Sequence, residues 1–321
     1  MSGFHFPLAA DTPDYDALQA WLDTARAAVP ALDDAGIDAV MRHVRGKRAV
    51  LAGHWQGRPA VFRLAPPHAS DLLAREWREA TRIWPHMQYR RYRVPEPYLH
   101  LPEIGLMAVE RVPGTPLLAH LWQSPPESRA AHLPEAATWL RRYSDVTESW
   151  HKANPAGWLA RAERAAQTQP HARLQEIETQ ILVHLRRLAA RLDGVDWRMA
   201  ICHGDFHPNN LMRAADRLTG IDLGGSARLP VCKDIARFLV HMGRRGMIPS
   251  SKRAFGVDAD GITAFVETFA LTETERRRTL PFFLGIEALI RVEHRDMKQA
   301  RLHHAEAMQD ALRIELAATS I

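Results

Sequence analysis

The run Ala200-Ile201-Cys202-His203-Gly204-Asp205-Phe206-His207-Pro208-Asn209-Asn210-Leu211-Met212, followed by Gly220-Ile221-Asp222-Leu223-Gly224, constrains this chain more than any other feature. It places an Asp, an Asn five residues later, and a second Asp on the next short apolar segment. That spacing suits a site that moves a phosphoryl group. One carboxylate orients a hydroxyl nucleophile, while an amide oxygen and another carboxylate hold Mg2+ on nucleotide phosphates.

A chain of 321 residues is long enough for one large domain or two lobes with their own cores. Forty-two basic residues against 37 acidic ones give a formal charge of +5, a mild excess that carries no nucleic-acid signature. Arg90, Arg91 and Arg93, and again Arg276, Arg277 and Arg278, read as solvated faces. No apolar run is long enough to span a membrane, and the N-terminus does not read as a secretory leader. Cys202 and Cys232 are the only cysteines and make no disulfide framework. The expectation is a cytoplasmic protein with reduced, buried thiols.

Thr12 and Pro13 read as the cap and first position of a helix whose apolar face is Tyr15, Leu18, Leu22, Ala25 and Val29. A second, shorter helix is expected over 33–44. The period then changes. Lys47 to Trp55 and Arg58 to Leu64 read as strands joined by Gln56-Gly57, with Val61 and Arg63 on one face and Ala60, Phe62 and Leu64 on the other. A helix from Ser70 or Asp71 is expected to stop at Pro85, and Tyr98–Leu101 with Leu106–Val112 to pair as strands. Pro113-Gly114-Thr115-Pro116 marks a hinge. Beyond it, helices are expected over 133–152, 158–168, 172–192, 233–243, 262–269, 273–292 and 296–317. Strands are expected only at Met199–Cys202, Leu211–Arg213 and Leu218–Leu223. The division implied is a helical extension (1–45), a strand-rich lobe (46–112) and a helical lobe (113–321).

Taken together, these features resemble the aminoglycoside phosphotransferase and choline kinase branch of the protein-kinase-like fold. His203-Gly204-Asp205 with Asn210 resembles that family's catalytic loop, Ile221-Asp222 its metal-binding Asp, and Asp234 in Lys233-Asp234-Ile235-Ala236-Arg237 a structural Asp that follows. The resemblance implies an α+β, two-lobed protein-kinase-like fold, with a small antiparallel-sheet lobe and a larger, mainly helical one. It implies ATP and Mg2+ as cofactors and a small-molecule hydroxyl acceptor, such as a sugar or amino alcohol, as partner. Asp205 would orient the nucleophile, and Asn210 and Asp222 would ligate Mg2+. His203 would shape the loop, and His207 would stand near the acceptor or help fix the loop.

In the smaller lobe the resemblance puts Arg63 where the family usually has a phosphate-binding Lys, with Glu76 as its partner and Glu79 as runner-up. The strand Met107-Ala108-Val109-Glu110-Arg111-Val112 would lead into the hinge, where backbone groups from Glu110 to Val112 would meet the adenine edge. A glycine-rich loop is reduced to Arg45-Gly46-Lys47-Arg48, so Lys47 or Arg48 would supply charge that a backbone nest otherwise gives.

Two other function classes fit some of the residues. Arg63 and the poor glycine loop fit a pseudokinase, a nucleotide-binding or regulatory module. His203, Asp205 and His207 at alternate positions fit a metallohydrolase. Charges from 271 to 321 look balanced, so no polycationic antibiotic is expected as acceptor. Trp150, His151 and Trp158 would lie on the acceptor side or, for the tryptophans, in the core.

Overall fold

The structure, a computed structural model, describes residues 15–66 and 69–319. The chain divides into two compact units, residues 1–114 with 214–225, and residues 115–213 with 226–321.

In the N-terminal unit, α1 (Tyr15–Ala28) buries Leu18, Trp21, Leu22 and Ala25, the face expected from their spacing. Its expected cap, Thr12-Pro13, lies outside the described residues. The segment expected as a second helix is instead a strand, β1 (Gly36–Val44). Two register shifts, at Ile37/Ala39 and Val40/Arg42, interrupt its pairing. Each bulge adds a residue to the period-two pattern, so Ile37, Val40 and Val44 come to mimic helical spacing.

The hairpin follows as read. β2 (Arg48–Trp55) and β3 (Arg58–Leu64) turn through Gln56 and Gly57, with φ of 51° and 69°, as a tight two-residue hairpin requires. α2 (Ser70–Met87) runs past Pro85. That proline stands in the last turn, where one missing N–H costs little, and the end is held by Val94 N–H donating to Met87 O at 3.1 Å. β4 (Tyr92–Arg93), β5 (Pro97–Leu101) and β6 (Leu106–Glu110) complete the unit's N-terminal stretch. The antiparallel sheet has the order β1-β2-β3-β6-β5. One face, with Ala60, Phe62 and Leu64, packs on α1; the other, with Val61, Met107 and Val109, packs with Leu73 of α2.

The rest of the chain runs β7 (Thr115–Pro116), α3 (Leu117–Gln123), α4 (Leu133–Ser144), β8 (Ser149–Lys152), α5 (Pro155–Ala166), α6 (Ala172–Leu192), β9 (Asp196–Cys202), β10 (Leu211–Ala214), β11 (Arg217–Gly220), β12 (Ala227–Pro230), α7 (Val231–Gly243), β13 (Arg253–Ala254), β14 (Val257–Asp258), α8 (Ala259–Phe269), α9 (Leu280–Leu289) and α10 (Gln299–Thr319). β11 belongs to the N-terminal unit and pairs in parallel with β4. In the C-terminal unit α7 and α9 are buried along their whole length and form its centre.

The helix expected over 133–152 ends at Ser144, and residues 149–152 form β8 against β9. Thr147 Oγ1 accepts from Ile201 N–H at 2.8 Å, so pairing with β9 outcompetes further helix. The helix expected over 273–292 opens as a wide π turn (Glu275–Thr279). Pro281 has no N–H for the carbonyl four residues back, which accounts for that turn. β12, β9 and β8 form the sheet from whose central strand the His203 loop leaves.

Candidate active site

Each unit holds its own cluster. In the N-terminal unit, Arg63 points from β3 toward the face shared with α2. Its Nη1 lies 3.1 Å from Glu76 Oε2 and donates to Asp222 Oδ1 at 3.0 Å. This settles the partner: Glu76 pairs with Arg63, whereas Glu79 is held by Arg82 within α2 at 2.6 Å. Burial works against the charge on Arg63, but Glu76 and Asp222 outweigh it and raise its pKa. Burial lifts the Glu76 carboxyl to about 7 in spite of Arg63, with Asp222 pushing the same way.

Asp222 sits at φ 64°, in the left-handed region that side-chain-bearing residues rarely adopt. Such a conformation persists where the surroundings enforce it, and it aims the carboxylate at Arg63. Two residues on, a Cβ on Gly224 would come within 3.2 Å of Glu76 Oε2. The segment 222–224 therefore lies tight against α2.

The β1–β2 connection is a short turn closed by Lys47 N–H donating to Val44 O at 3.0 Å, with Gly46 at φ 62°. At the end of β6, Glu110 N–H donates to Glu96 O at 2.8 Å and Arg111 N–H to Pro59 O at 3.1 Å. Of the expected hinge donors, Val112 N–H is the one without a backbone partner among the described residues. The Glu110 side chain is taken by Arg93 and by Glu96 N–H. It is paired opposite Ala60, and so lies on the sheet face away from Arg63.

In the C-terminal unit, the loop after β9 is fastened from α7 and α9. Gly204, at φ 81°, donates its N–H to Asp234 Oδ2 at 2.9 Å. Lys233 Nζ donates to Gly204 O and lies 3.2 Å from Asp234 and 3.7 Å from Glu287. His203 is fully buried, its ring packed among Trp139, Tyr143 and Phe206. Asn210 Nδ2 donates to Asp205 O at 3.0 Å, closing the loop and leaving Oδ1 as the free end of the amide.

The Asp205 carboxylate is half exposed and faces two guanidiniums and an imidazole. Arg237 Nε donates to Oδ1 at 2.9 Å, Arg291 Nη2 lies 3.5 Å from Oδ1, and His207 Nε2 is 3.4 Å from Oδ2. Burial opposes ionisation, but His207 and Arg237 overcome it and hold the carboxyl well below the usual range. His207 stacks on His241 with centroids 4.2 Å apart, and burial lowers the pKa of both rings.

Arg237 stood within the Lys233–Arg237 segment and was legible as a basic residue close to Asp234. Arg291 had no local signal, because it reaches Asp205 across 86 residues of sequence. The three residues of a metallohydrolase do not converge. His203 is sealed in its aromatic box, and no group of three or more His, Cys, Asp or Glu among the described residues is arranged to hold a metal ion. Both cysteines are buried and free, and burial raises both thiol pKa values. Trp158 packs edge-on against Phe283, whereas Trp150 and His151 are exposed.

The profile of the phosphotransferase enzyme family matches residues 41–262, which takes in both clusters. The chain belongs to that family. As a member it is a phosphotransferase, and Asp205, Asn210 and Asp222 all lie within the matched region. No curated protein matches it by sequence. Among solved structures, this phosphotransferase is similar in fold to the amicoumacin kinase hAmiN in complex with AMP-PNP, Ca2+ and Ami (13% identity, 94% of this chain and 96% of that one, TM-score 0.58). It is also similar to a choline/ethanolamine kinase family protein from Mesorhizobium loti (17%, 95% and 98%, TM-score 0.55). A third is a glucosamine kinase with glucosamine, ADP and inorganic phosphate (16%, 94% and 84%, TM-score 0.55). The fold is thus the two-lobed kinase-like one, with a sheet-rich N-terminal part and a mostly helical C-terminal part. No helix among the described residues is long and apolar enough to cross a membrane.

Proposed function

We propose that the protein is a cytoplasmic kinase that transfers the γ-phosphoryl group of ATP to a hydroxyl of a small molecule. The observation that carries this reading is Asp205, held ionised by Arg237 and His207 on a loop pinned by Asp234 and Asn210. A fixed carboxylate of this kind orients an acceptor hydroxyl and takes its proton as the new P–O bond forms. Positioning carries most of the catalysis, because the transition state is loose and demands little of a base.

Arg63, steadied by Glu76, is the group suited to the nucleotide phosphates. Val112 N–H, and the carbonyl rather than the N–H of Glu110, are the backbone groups for the base edge. Asn210 and Asp222 are each suited to Mg2+. They offer an amide oxygen left over by the Asp205 bond and a half-exposed carboxylate, hard oxygen donors of the kind this ion takes together with phosphates and water. Bound there, the ion would offset charge on the phosphates.

The direct Arg63–Asp222 bond favours a second reading, a nucleotide-binding module without transfer, because it occupies both groups with each other. Melting with Mg2+ and ATP, followed by ADP release with hydroxylated metabolites, separates the two. A nucleotide at 100 times its Kd adds about 2.7 kcal/mol. Asp222→Asn is expected to lose that shift. Asp205→Ala is expected to keep it and to lose transfer. Wild-type turnover in Asp205→Ala refutes the catalytic role, and binding without turnover on any acceptor supports the module.

A further inference from the structure

Beside Asp205 the charges pair off, Lys233, Arg237 and Arg291 against Asp205, Asp234 and Glu287, and the surplus of cations lies further along α7. Along α7, Arg237 and His241 are four residues apart, and Arg245 follows four residues later, just beyond the helix end. At 1.5 Å per residue this stripe leads roughly 12 Å away from the Asp205 carboxylate. Arg291, after α9, lies 3.5 Å from Asp205, and Arg301, on α10, is near enough to Arg245 to lower its pKa.

The acidic groups facing the cluster are already committed. Asp205 serves Arg237 and Arg291, Glu287 serves Lys233 and Arg291, and Glu293 serves Arg244. Arg245 donates to the His241 carbonyl at 2.9 Å and has no carboxylate within ion-pair distance among the described residues. Arg301 Nε is buried without a hydrogen-bond partner. Burial and the nearby Arg301, Arg244 and Arg237 lower the Arg245 pKa to about 10, against the pull of Glu293.

We infer that the acceptor is an anionic hydroxy compound, bearing a carboxylate or phosphate that Arg245 and Arg301 receive while its hydroxyl meets Asp205. This rests on the reading of Asp205 as the group that orients the acceptor. A guanidinium offers planar paired donors to either anion, and both arginines have donors to spare. A polycation or an amino alcohol would meet Arg237, Arg291 and Arg245 with like charge.

The test has two arms. In the first, inorganic phosphate is titrated calorimetrically into wild type, Arg245→Ala, Arg301→Ala and Arg63→Ala. Wild type is expected to bind, with Kd weakened ~10-fold or more in Arg245→Ala and Arg301→Ala and unchanged in Arg63→Ala. Melting of each variant without phosphate checks folding, and Arg301→Ala carries the test if Arg245→Ala fails to fold. In the second arm, ADP release with Mg2+ and ATP compares D-glucose 6-phosphate, whose phosphate and far hydroxyls stand at opposite ends of the sugar, with D-glucose and D-glucosamine, and D-glucose 6-phosphate is expected to be the better acceptor. No phosphate binding by wild type, equal binding in both arginine variants, loss confined to Arg63→Ala, or D-glucosamine outrunning D-glucose 6-phosphate overturns the inference. The Mg2+-ATP shift, read on the same protein, reports separately on the kinase reading. Phosphate binding without nucleotide binding would sink that reading and the acceptor role with it.

Discussion

Asp205 and Glu178 are both carboxylates with much of their surface covered by protein, yet their surroundings drive them in opposite directions. Asp205 meets two guanidiniums and an imidazole and stays ionised. Glu178, between α6 and α10, meets only amides. Its Oε1 accepts from Gln169 at 2.8 Å and Gln309 at 3.1 Å, and its Oε2 is buried without a partner. Burial raises its pKa from 4.5 to about 7, against the pull of those two hydrogen bonds and of Arg244. In the unfolded chain the group ionises near 4.5, so between these values the native state binds more protons. Stability from this site is therefore greatest below about 4.5 and falls as pH rises to about 7. Glu178→Gln keeps the shape and removes the charge. Relative to wild type it is expected to be stabilised by roughly 3 kcal/mol at pH 8 and nearly neutral at pH 4.5, at ~1.4 kcal/mol per unit. Urea unfolding at both pH values checks this, and a pH-independent difference between the two proteins would contradict it.

At the scale of elements, the loop after β9 illustrates how one glycine and one ion pair set a functional geometry. Gly204 holds φ at 81°, and its N–H and C=O are tied to Asp234 and Lys233. Gly204→Ala adds a Cβ in a region that costs about 1–2 kcal/mol. Asp234→Asn removes the charge facing Lys233 and, if the amide nitrogen turns inward, the acceptor for Gly204. Both variants are expected to lower kcat by ~10-fold or more while keeping most of the Mg2+-ATP melting shift, since Arg63, Glu76 and Asp222 belong to the other unit and only Asn210 rides on the disturbed loop. Equal losses in nucleotide binding would argue against that separation. The same loop was legible in sequence because Asp205 and Asn210 are neighbours whose spacing announces them, whereas Asp234, 30 residues beyond Gly204, was expected only from the family resemblance. β1 was not legible, because two bulges gave a strand the spacing of a helix. Nor was β8, whose pairing with β9 is a tertiary preference that local propensity does not carry.

For the molecule as a whole, net charge is a poor guide to local charge. A formal +5 and an even mixture along 271–321 hid a cationic cluster, because Arg291 and Arg301 come from one part of the chain and Arg237 and Arg245 from another. Counting along the sequence averages what the fold sorts. Arg63 with Glu76 was expected from the family resemblance, with Glu79 as the alternative, and the structure gives Glu76 to Arg63 and Glu79 to Arg82. The Arg63–Asp222 bond was not legible, since 159 residues of sequence separate the two and only the return of β11 to the N-terminal unit joins them.

The two thiols give a readout of the C-terminal unit. Cys202 ends β9 and Cys232 opens α7, both buried and unpaired, with Sγ of Cys202 donating to Leu229 O at 3.5 Å. Reaction with a thiol reagent needs the thiolate and a path to it; burial denies the path and raises the pKa, so the folded protein suppresses both. Each sulfur lies in an element that pairs or packs at the unit's centre, so exposure requires opening β9 and α7, and with them the Asp205 loop. Native protein is expected to show no fast-reacting thiol with a disulfide reagent at pH 8, and two after denaturation. Labelling should follow the frequency of opening of this unit and slow when a ligand binds to it. Phosphate, as the ligand of the Arg245 cluster, should slow labelling of wild type and leave Arg245→Ala labelling at its own unliganded rate. A thiol that reacts at once in native protein would mean that β9 or α7 opens locally, and would place a mobile element directly behind the loop that carries Asp205.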